Sequence, residues 1–312
     1  MPSALPRKLL SILLIFLTAC NPSQAASTSS TVIPGTPQSL EFGFGTRLDT
    51  NNPNLEASLR LAAQSGLDWV ALDFDWEAVQ PTQDTWKEDA SFSNAMQQAH
   101  SLGLATLVSF KNPPAWAMTT AGPDAEQTAN LVLKLSRHNA PPTAIELFPA
   151  ANTRMGWNAA PNANAYAQLF QYIQTRLKAE SLNVYLTAGG LSNLFSSEED
   201  VSDVDFLAQL YAAGLQPDII SIRLEALNAD PLAAPAHNAL RHYEDIRAVM
   251  TANNHKDGLL WITGLSLPTG TPETPWLEQA YPMMKSQLYL GAVFYSKTHL
   301  DARLLNLIQP NH

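Results

Sequence analysis

Eight short apolar runs, each followed by a longer stretch with helical spacing, constrain the fold of this chain more than any other feature. The predicted strands are 40–48, 69–76, 105–110, 144–148, 183–188, 218–224, 259–265 and 289–295. Between them lie amphipathic patterns. Over 54–64, Leu55, Leu59 and Ala62 share one face; over 166–179, Leu169, Phe170, Ile173 and Leu177 recur at spacings of three and four. Stretches 239–253 and 274–286 behave alike, and Asp203 and Asn164 stand where helix N-caps are expected.

Strict alternation of strand and helix implies a parallel sheet. Eight units in about 250 residues predict a closed (β/α)8 TIM barrel of the α/β class, one domain over 39–312, rather than an open doubly wound sheet. An open sheet of the nucleotide-binding kind carries a glycine-rich phosphate loop after its first strand, and Gly43-Phe44-Gly45 lacks the third glycine and the helix. In such a barrel the site is built at the C-terminal ends of the strands.

The first 38 residues read differently. Arg7 and Lys8 precede the apolar run 9–17, too short to span a bilayer comfortably. The run ends in Leu17-Thr18-Ala19-Cys20, which resembles the lipobox of bacterial lipoproteins. That resemblance implies a signal peptide over 1–20, lipidation of Cys20, and a membrane-anchored lipoprotein on the extracytoplasmic side of the cell envelope. The alternative is an ordinary signal peptide in which Cys20 is incidental. Cys20 is the sole cysteine, so no internal disulfide forms. Residues 21–38, rich in Ser, Thr, Pro and Ala, read as a tether.

Net charge of −10 argues against nucleic acid, since no basic stripe is present to neutralise phosphates. A hydrophobic share of 46% supports a sizeable core. Among seven histidines only His237 and His242 come near ligand spacing, and at i, i+5 they predict no metal site. No cofactor motif and no Gly-x-Ser-x-Gly elbow occurs.

Several segments together resemble clan A glycoside hydrolases, in particular cellulase-like and xylosidase-like members. The second strand region ends Val79-Gln80-Pro81 with Trp86 beyond it; the third is followed by Pro114-Ala115-Trp116-Ala117. Trp157, Pro161 and Ala165-Tyr166-Ala167-Gln168-Leu169 match the stretch after strand four, and Trp261-Ile262-Thr263 matches strand seven. The resemblance covers nearly all of 39–300 and implies chemistry by two carboxylic acids about 5–5.5 Å apart, one protonating the leaving oxygen and one attacking carbon. It places the acid at Ala150 and the nucleophile at Gly264, neither of which can do either. Pro149 stands where the family has a sugar-binding asparagine, Ala71 where an arginine is common, Arg223-Leu224-Glu225 where strand six has His-x-Tyr, and Tyr295 where tryptophan is usual.

The resemblance therefore implies a degenerate member without catalytic residues, binding an oligosaccharide, a polysaccharide or a protein through the former cleft. The expected contacts are Trp76, Trp116, Asn152, Arg154, Trp157, Arg223, Glu225, Trp261 and Tyr295. Glu146 reads as a buried structural acid needing an arginine partner, because an unpaired buried charge is costly. Asp73 and Asp75 share one strand face, Arg223 and Glu225 another, so ion pairs across the mouth are expected. Trp69 reads as a core plug. Two other readings stand open: an active hydrolase with relocated acids, drawn from Asp73, Glu146, Glu225 and Glu273, and a structural envelope lipoprotein with a filled mouth.

Overall fold

A computed structural model describes Met1 and residues 32–267 and 270–296. The chain divides into two compact units, Met1–Thr31 and Val32–His312, and the second holds the barrel. Cys20, and with it the lipobox, lies outside the described residues, as do His299 and His312.

Eight parallel strands close on themselves: β1 (Gly43–Leu48), β2 (Trp69–Asp75), β3 (Ala105–Lys111), β4 (Ala144–Leu147), β5 (Tyr185–Ser192), β6 (Ile219–Leu224), β7 (Leu259–Leu265) and β8 (Leu290–Ser296). Each pairs with its sequence neighbours, and β1 pairs with β8 to close the ring. The strands are almost wholly buried because helices cover the outside while side chains fill the inside. This is the predicted (β/α)8 barrel.

The outer layer holds α1 (Leu55–Gln64), α2 (Ala90–Ser101), α3 (Ala125–Ser136), α4 (Ala163–Ala179), α5 (Asp203–Ala212), α6 (Tyr243–Ala252) and α7 (Glu273–Lys285). Two caps differ from expectation by a residue or two. Asn162 caps α4, its side chain accepting from Ala165 N at 3.0 Å, and Asn164 lies inside the helix. Ser202 caps α5 by accepting from Asp205 N, which leaves Asp203 in the first turn. Asp203 instead reaches across to α6: His242 lies between Asp203 (Nε2 to Oδ2, 2.8 Å) and Asp245 (Nδ1 to Oδ2, 3.0 Å).

Residues 33–36, inside the 21–38 stretch expected to be a tether, are packed against the barrel. They lie under its N-terminal pole, where Pro34 O accepts from Trp69 Nε1 and Gly35 O from Trp261 Nε1, both at 2.8 Å. Two buried indoles each need an acceptor, and this segment supplies both. Trp69, Trp261 and Phe294 then form the base plug, with Trp69 and Trp261 ring centroids 5.0 Å apart at 68°.

Candidate functional site

Parallel register decides which side chains meet inside the barrel. Asp73 is opposite Ser109, Ser109 opposite Glu146, and Glu146 opposite Thr187. Neighbours in register point the same way, so one polar layer crosses β2 to β5. Glu146 is fully buried at its centre. Its Oε2 accepts from Ser109 Oγ at 2.6 Å and from Arg223 Nη2 at 3.1 Å, with Arg47 Nη2 at 3.6 Å, and its Oε1 accepts from Thr263 Oγ1. Arg47 also donates to Asp73, to Ser109 Oγ at 3.1 Å and to Thr263 O at 2.8 Å. Lys111 Nζ stands 3.4 Å from Asp73 Oδ2.

This network stays charged. Burial pushes the Glu146 carboxyl up, but Arg223, Arg47 and the hydroxyls of Ser109 and Thr263 outweigh it and hold it below its ordinary value. Asp73 behaves the same way: desolvation raises it, and Arg47, Arg223 and Lys111 together pull it down. Glu146 thus has the arginine partners its burial demands, and it takes two. Asp73 pairs with Arg47 and Lys111 rather than with β6. A carboxylate held ionised by two cations is a poor proton donor, so neither acid is poised as a general acid.

The layer reaches into β5. Gly190 has φ +49, and a Cβ there would meet Glu146 Oε1 at 2.7 Å and the Pro149 backbone at 2.9 Å. Only glycine lets β5 pass this close to the carboxylate. The neighbouring end of β4 is also unusual. Phe148 (φ +52) and Ala150 (φ +62) are both left-handed, a conformation non-glycine residues seldom hold. Burial of Phe148 against Trp157, at 5.8 Å between ring centroids, and the bond from Ala150 N to Gly190 O at 2.8 Å hold this turn.

Gly264 on β7 packs against β6. A Cβ there would meet Arg223 Cγ at 3.2 Å and Cδ at 3.5 Å. A side chain at 264 would crowd the arginine stem, which would have to give slightly.

Open space lies elsewhere on the rim. A cleft of about 600 Å³ is bordered by Asp49, Asn51, Asp73, Asp75, Lys111 and Ser296, over β1 to β3 and the end of β8. Asp75 is half committed: it caps a short helix by accepting from Ala78 N at 3.1 Å, and it accepts from Asn112 Nδ2 at 2.6 Å.

The predicted contact residues separate into two groups. Trp76, Trp157 and Trp261 are fully buried, and their role is corrected to packing. Trp76 donates to Gln80 Oε1, Trp157 to Ala121 O, and Trp261 lies at the opposite pole in the base plug. Asn152 is likewise corrected: buried, it bridges Ser192 and Val201 through three hydrogen bonds of its amide, with Nδ2 on both carbonyls at 2.9 Å and Oδ1 on Ser192 N at 2.8 Å. Arg154 is exposed and paired with Glu199. Trp116 keeps some exposed surface, donating to Gln80 O at 3.0 Å. Arg223 is mostly buried in the network, and Glu225 is half-buried with its backbone bound by Asn193. The Tyr295 hydroxyl hydrogen-bonds with Glu273, and burial followed by that carboxylate drives it well above its ordinary range.

Sequence reasoning missed Arg47, Lys111, Ser109 and Thr263. The signal was there for the two cations: each is a lone charge in the last residues of an otherwise apolar strand. Among the described residues no group of three or more His, Cys, Asp or Glu is arranged to hold a metal ion.

No protein-family model matches the chain. No curated protein is similar to it in sequence. Solved structures are similar to it in fold. A family 39 glycoside hydrolase from Bacteroides cellulosilyticus WH2 matches 85% of this chain with TM-score 0.60 at 15% identity. The chain spans 58% of that protein's length. A GH5_18 protein from Streptomyces cattleya, in complex with GlcNAc, matches 81% of this chain and 70% of its own, with TM-score 0.61 and 12% identity. An endo-beta-1,4-glucanase from Xanthomonas axonopodis pv. citri matches 81% and 88%, with TM-score 0.57 and 12% identity. Identities this low establish a shared fold, the closed parallel barrel, and a fold hosts many functions.

Proposed function

We propose that this protein is a glycoside-hydrolase-like barrel that has lost catalysis and binds a carbohydrate at its mouth, tethered to the outer face of a bacterial membrane through Cys20. One observation carries the reading: Gly264 packs against the stem of Arg223, while Ala150 lies in a left-handed turn tied to Gly190. Both places implied for the acid and the nucleophile lack a carboxylate, and a side chain at the second would crowd the Arg223 stem. The buried acid that remains, Glu146, is saturated by its own partners and closed to solvent.

The polar cleft over β1 to β3 supports binding. Sugar hydroxyls need donors and acceptors close together, and Asp73, Asp75, Lys111 and Asn51 offer both along one rim. The fold neighbours include glycosidases, one of them in complex with GlcNAc, which supports a sugar over other small ligands.

Native mass spectrometry of the full chain with a broad oligosaccharide panel tests this. The expected result is complexes without cleaved masses, weakened by Lys111→Ala. Cleaved products would refute loss of catalysis and point to Asp73 or Asp75. No complex with any glycan would refute the carbohydrate reading and turn attention to protein partners.

A further inference from the structure

We propose that the binding cleft at the mouth continues down the outside of the barrel between α1 and α2, so that the protein grips a long, uncharged polysaccharide chain rather than a short oligosaccharide. This rests on the carbohydrate reading above and adds the length and charge of the glycan to it.

Three observations carry it. The first is continuity. A second hollow, of about 640 Å³, is bordered by α1 and α2, and Thr50 borders both this hollow and the mouth cleft. Next to Thr50, Asn51 and Asp89 border the cleft, while Asn52 and Ser91 border the hollow. Each helix of the barrel returns antiparallel to the strand before it. The path therefore leads from the mouth at Ser91 toward the base at Ser101, about 15 Å along α2.

The second is the chemistry of α2. Ser91, Asn94, Gln98 and Ser101 recur at spacings of three and four and so form one face, with Gln97 beside them, and all border the hollow. Hydroxyl and amide groups both donate and accept, as the hydroxyls of a sugar do. α2 carries no Asp, Glu, Lys or Arg, whereas each of the other six helices of the outer layer carries at least two. Charged residues ordinarily share the solvent face of a helix, and here neutral hydrogen-bonding groups take their place.

The third is that these groups are left for a ligand. Asn94 and Gln97 are exposed, and their side chains make no hydrogen bond among the described residues. Glu56 is the one charged residue of the described chain that borders the hollow, and Arg60 Nη2 donates to its Oε1 at 2.8 Å. No cation borders the hollow among the described residues, so a uronate or a sulfate finds no counter-ion there, while an uncharged chain finds amides and hydroxyls along its length.

Calorimetric titration of the full chain with cello-, xylo- and manno-oligosaccharides of increasing length tests this. The expected result is affinity that rises at least about tenfold from trisaccharide to hexasaccharide in the series that binds. Asn94→Ala with Gln97→Ala is expected to remove that rise. Both positions are exposed and alanine favours the helix, so a lost rise is not a lost fold. Lys111→Ala is expected to weaken short and long chains alike. Affinity that stays flat with length, or a rise that survives the double variant, overturns the extension and leaves binding at the mouth standing. Tighter binding of oligogalacturonate than of any neutral chain overturns the uncharged class. No binding in any series overturns both the extension and the carbohydrate reading.

Discussion

Replacing Glu146 by Gln tests whether the barrel axis is held by charge. In the native protein Glu146 has no exposed surface, and Arg47 and Arg223 retain 12% and 17% of their side-chain exposure. Glutamine keeps the shape and can still accept from Ser109 or Thr263. Its amide nitrogen can take the Oε1 position against the Thr263 hydroxyl, leaving the amide oxygen to Ser109 and Arg223, so what the substitution removes is the negative charge. Two buried cations are then left with the partly exposed Asp73 and, for Arg223, the half-buried Glu225. Breaking a buried pair from one side costs about 3–5 kcal/mol, and for a domain of this size that lowers Tm by roughly 10 °C. Urea unfolding of the full chain, followed by tryptophan fluorescence, measures it. The pH dependence gives an independent check. Glu146 ordinarily titrates near 4.5 and is held lower in the folded protein. A depressed folded pKa contributes stability that is present above the unfolded value and is lost as pH falls through the folded one. The gap between wild type and Glu146→Gln must therefore be full at neutral pH and shrink below about pH 4.5. A variant within about 1 kcal/mol of wild type at pH 7, or a gap that does not change with acid, would refute the charged axis.

Other expectations follow from single contacts. Gly190→Ala places a methyl 2.7 Å from Glu146 Oε1 at a positive φ, and a loss of about 2–4 kcal/mol in chemical denaturation is expected; an unchanged midpoint would mean β5 can move aside. Ala150→Glu with Gly264→Glu is expected to give no turnover of aryl glycosides, because the new side chain at 264 meets Arg223; hydrolysis at ordinary glycosidase rates contradicts this. Burial pulls the His242 imidazole down, but Asp203 and Asp245 outweigh it and raise it above its ordinary 6.5. A raised folded pKa contributes stability that is fully present below the unfolded value and is lost as pH rises through the folded one. Thermal melts from pH 6 upward should show wild type losing this contribution while His242→Gln stays flat, and parallel curves would dismiss the clasp.

The fold was legible because the change from a short apolar run to a stretch of period 3.6 is a local property, repeated along the chain. The end of β5 was not, since Gly189-Gly190 reads as a breaker while the strand runs on to Ser192 with a register shift between Ala188 and Leu191. The site was legible only in part. That Glu146 needed a cation followed from the cost of a buried charge, but which cation depended on register across strands distant in sequence. The tryptophans were misplaced for a related reason. Trp76, Trp157 and Trp261 all sit near strand ends or mouth loops in sequence, and an indole fills a gap as readily as it stacks on a sugar. Height along the barrel separates Trp261 from the others, and sequence pattern does not encode height across an unseen shear.

Gly264 and Arg223 belong to one electrostatic argument. A second acid at 264 would stand against the stem of Arg223, whose guanidinium is engaged with Glu146 at 3.1 Å. An acid there would crowd that stem and compete with Glu146 for the guanidinium, and if Arg223 turns to it Glu146 loses one of its two cations while fully buried. Removing Arg223 outright has the same consequence. Displacing or removing Arg223 therefore leaves a buried charge short of a partner. Reactivity needs a carboxylate whose proton or lone pair is free to transfer, whereas this axis gives every carboxylate oxygen of Glu146 and Asp73 a donor. Open space lies instead on the rim, bordered by Asp49, Asn51 and Lys111.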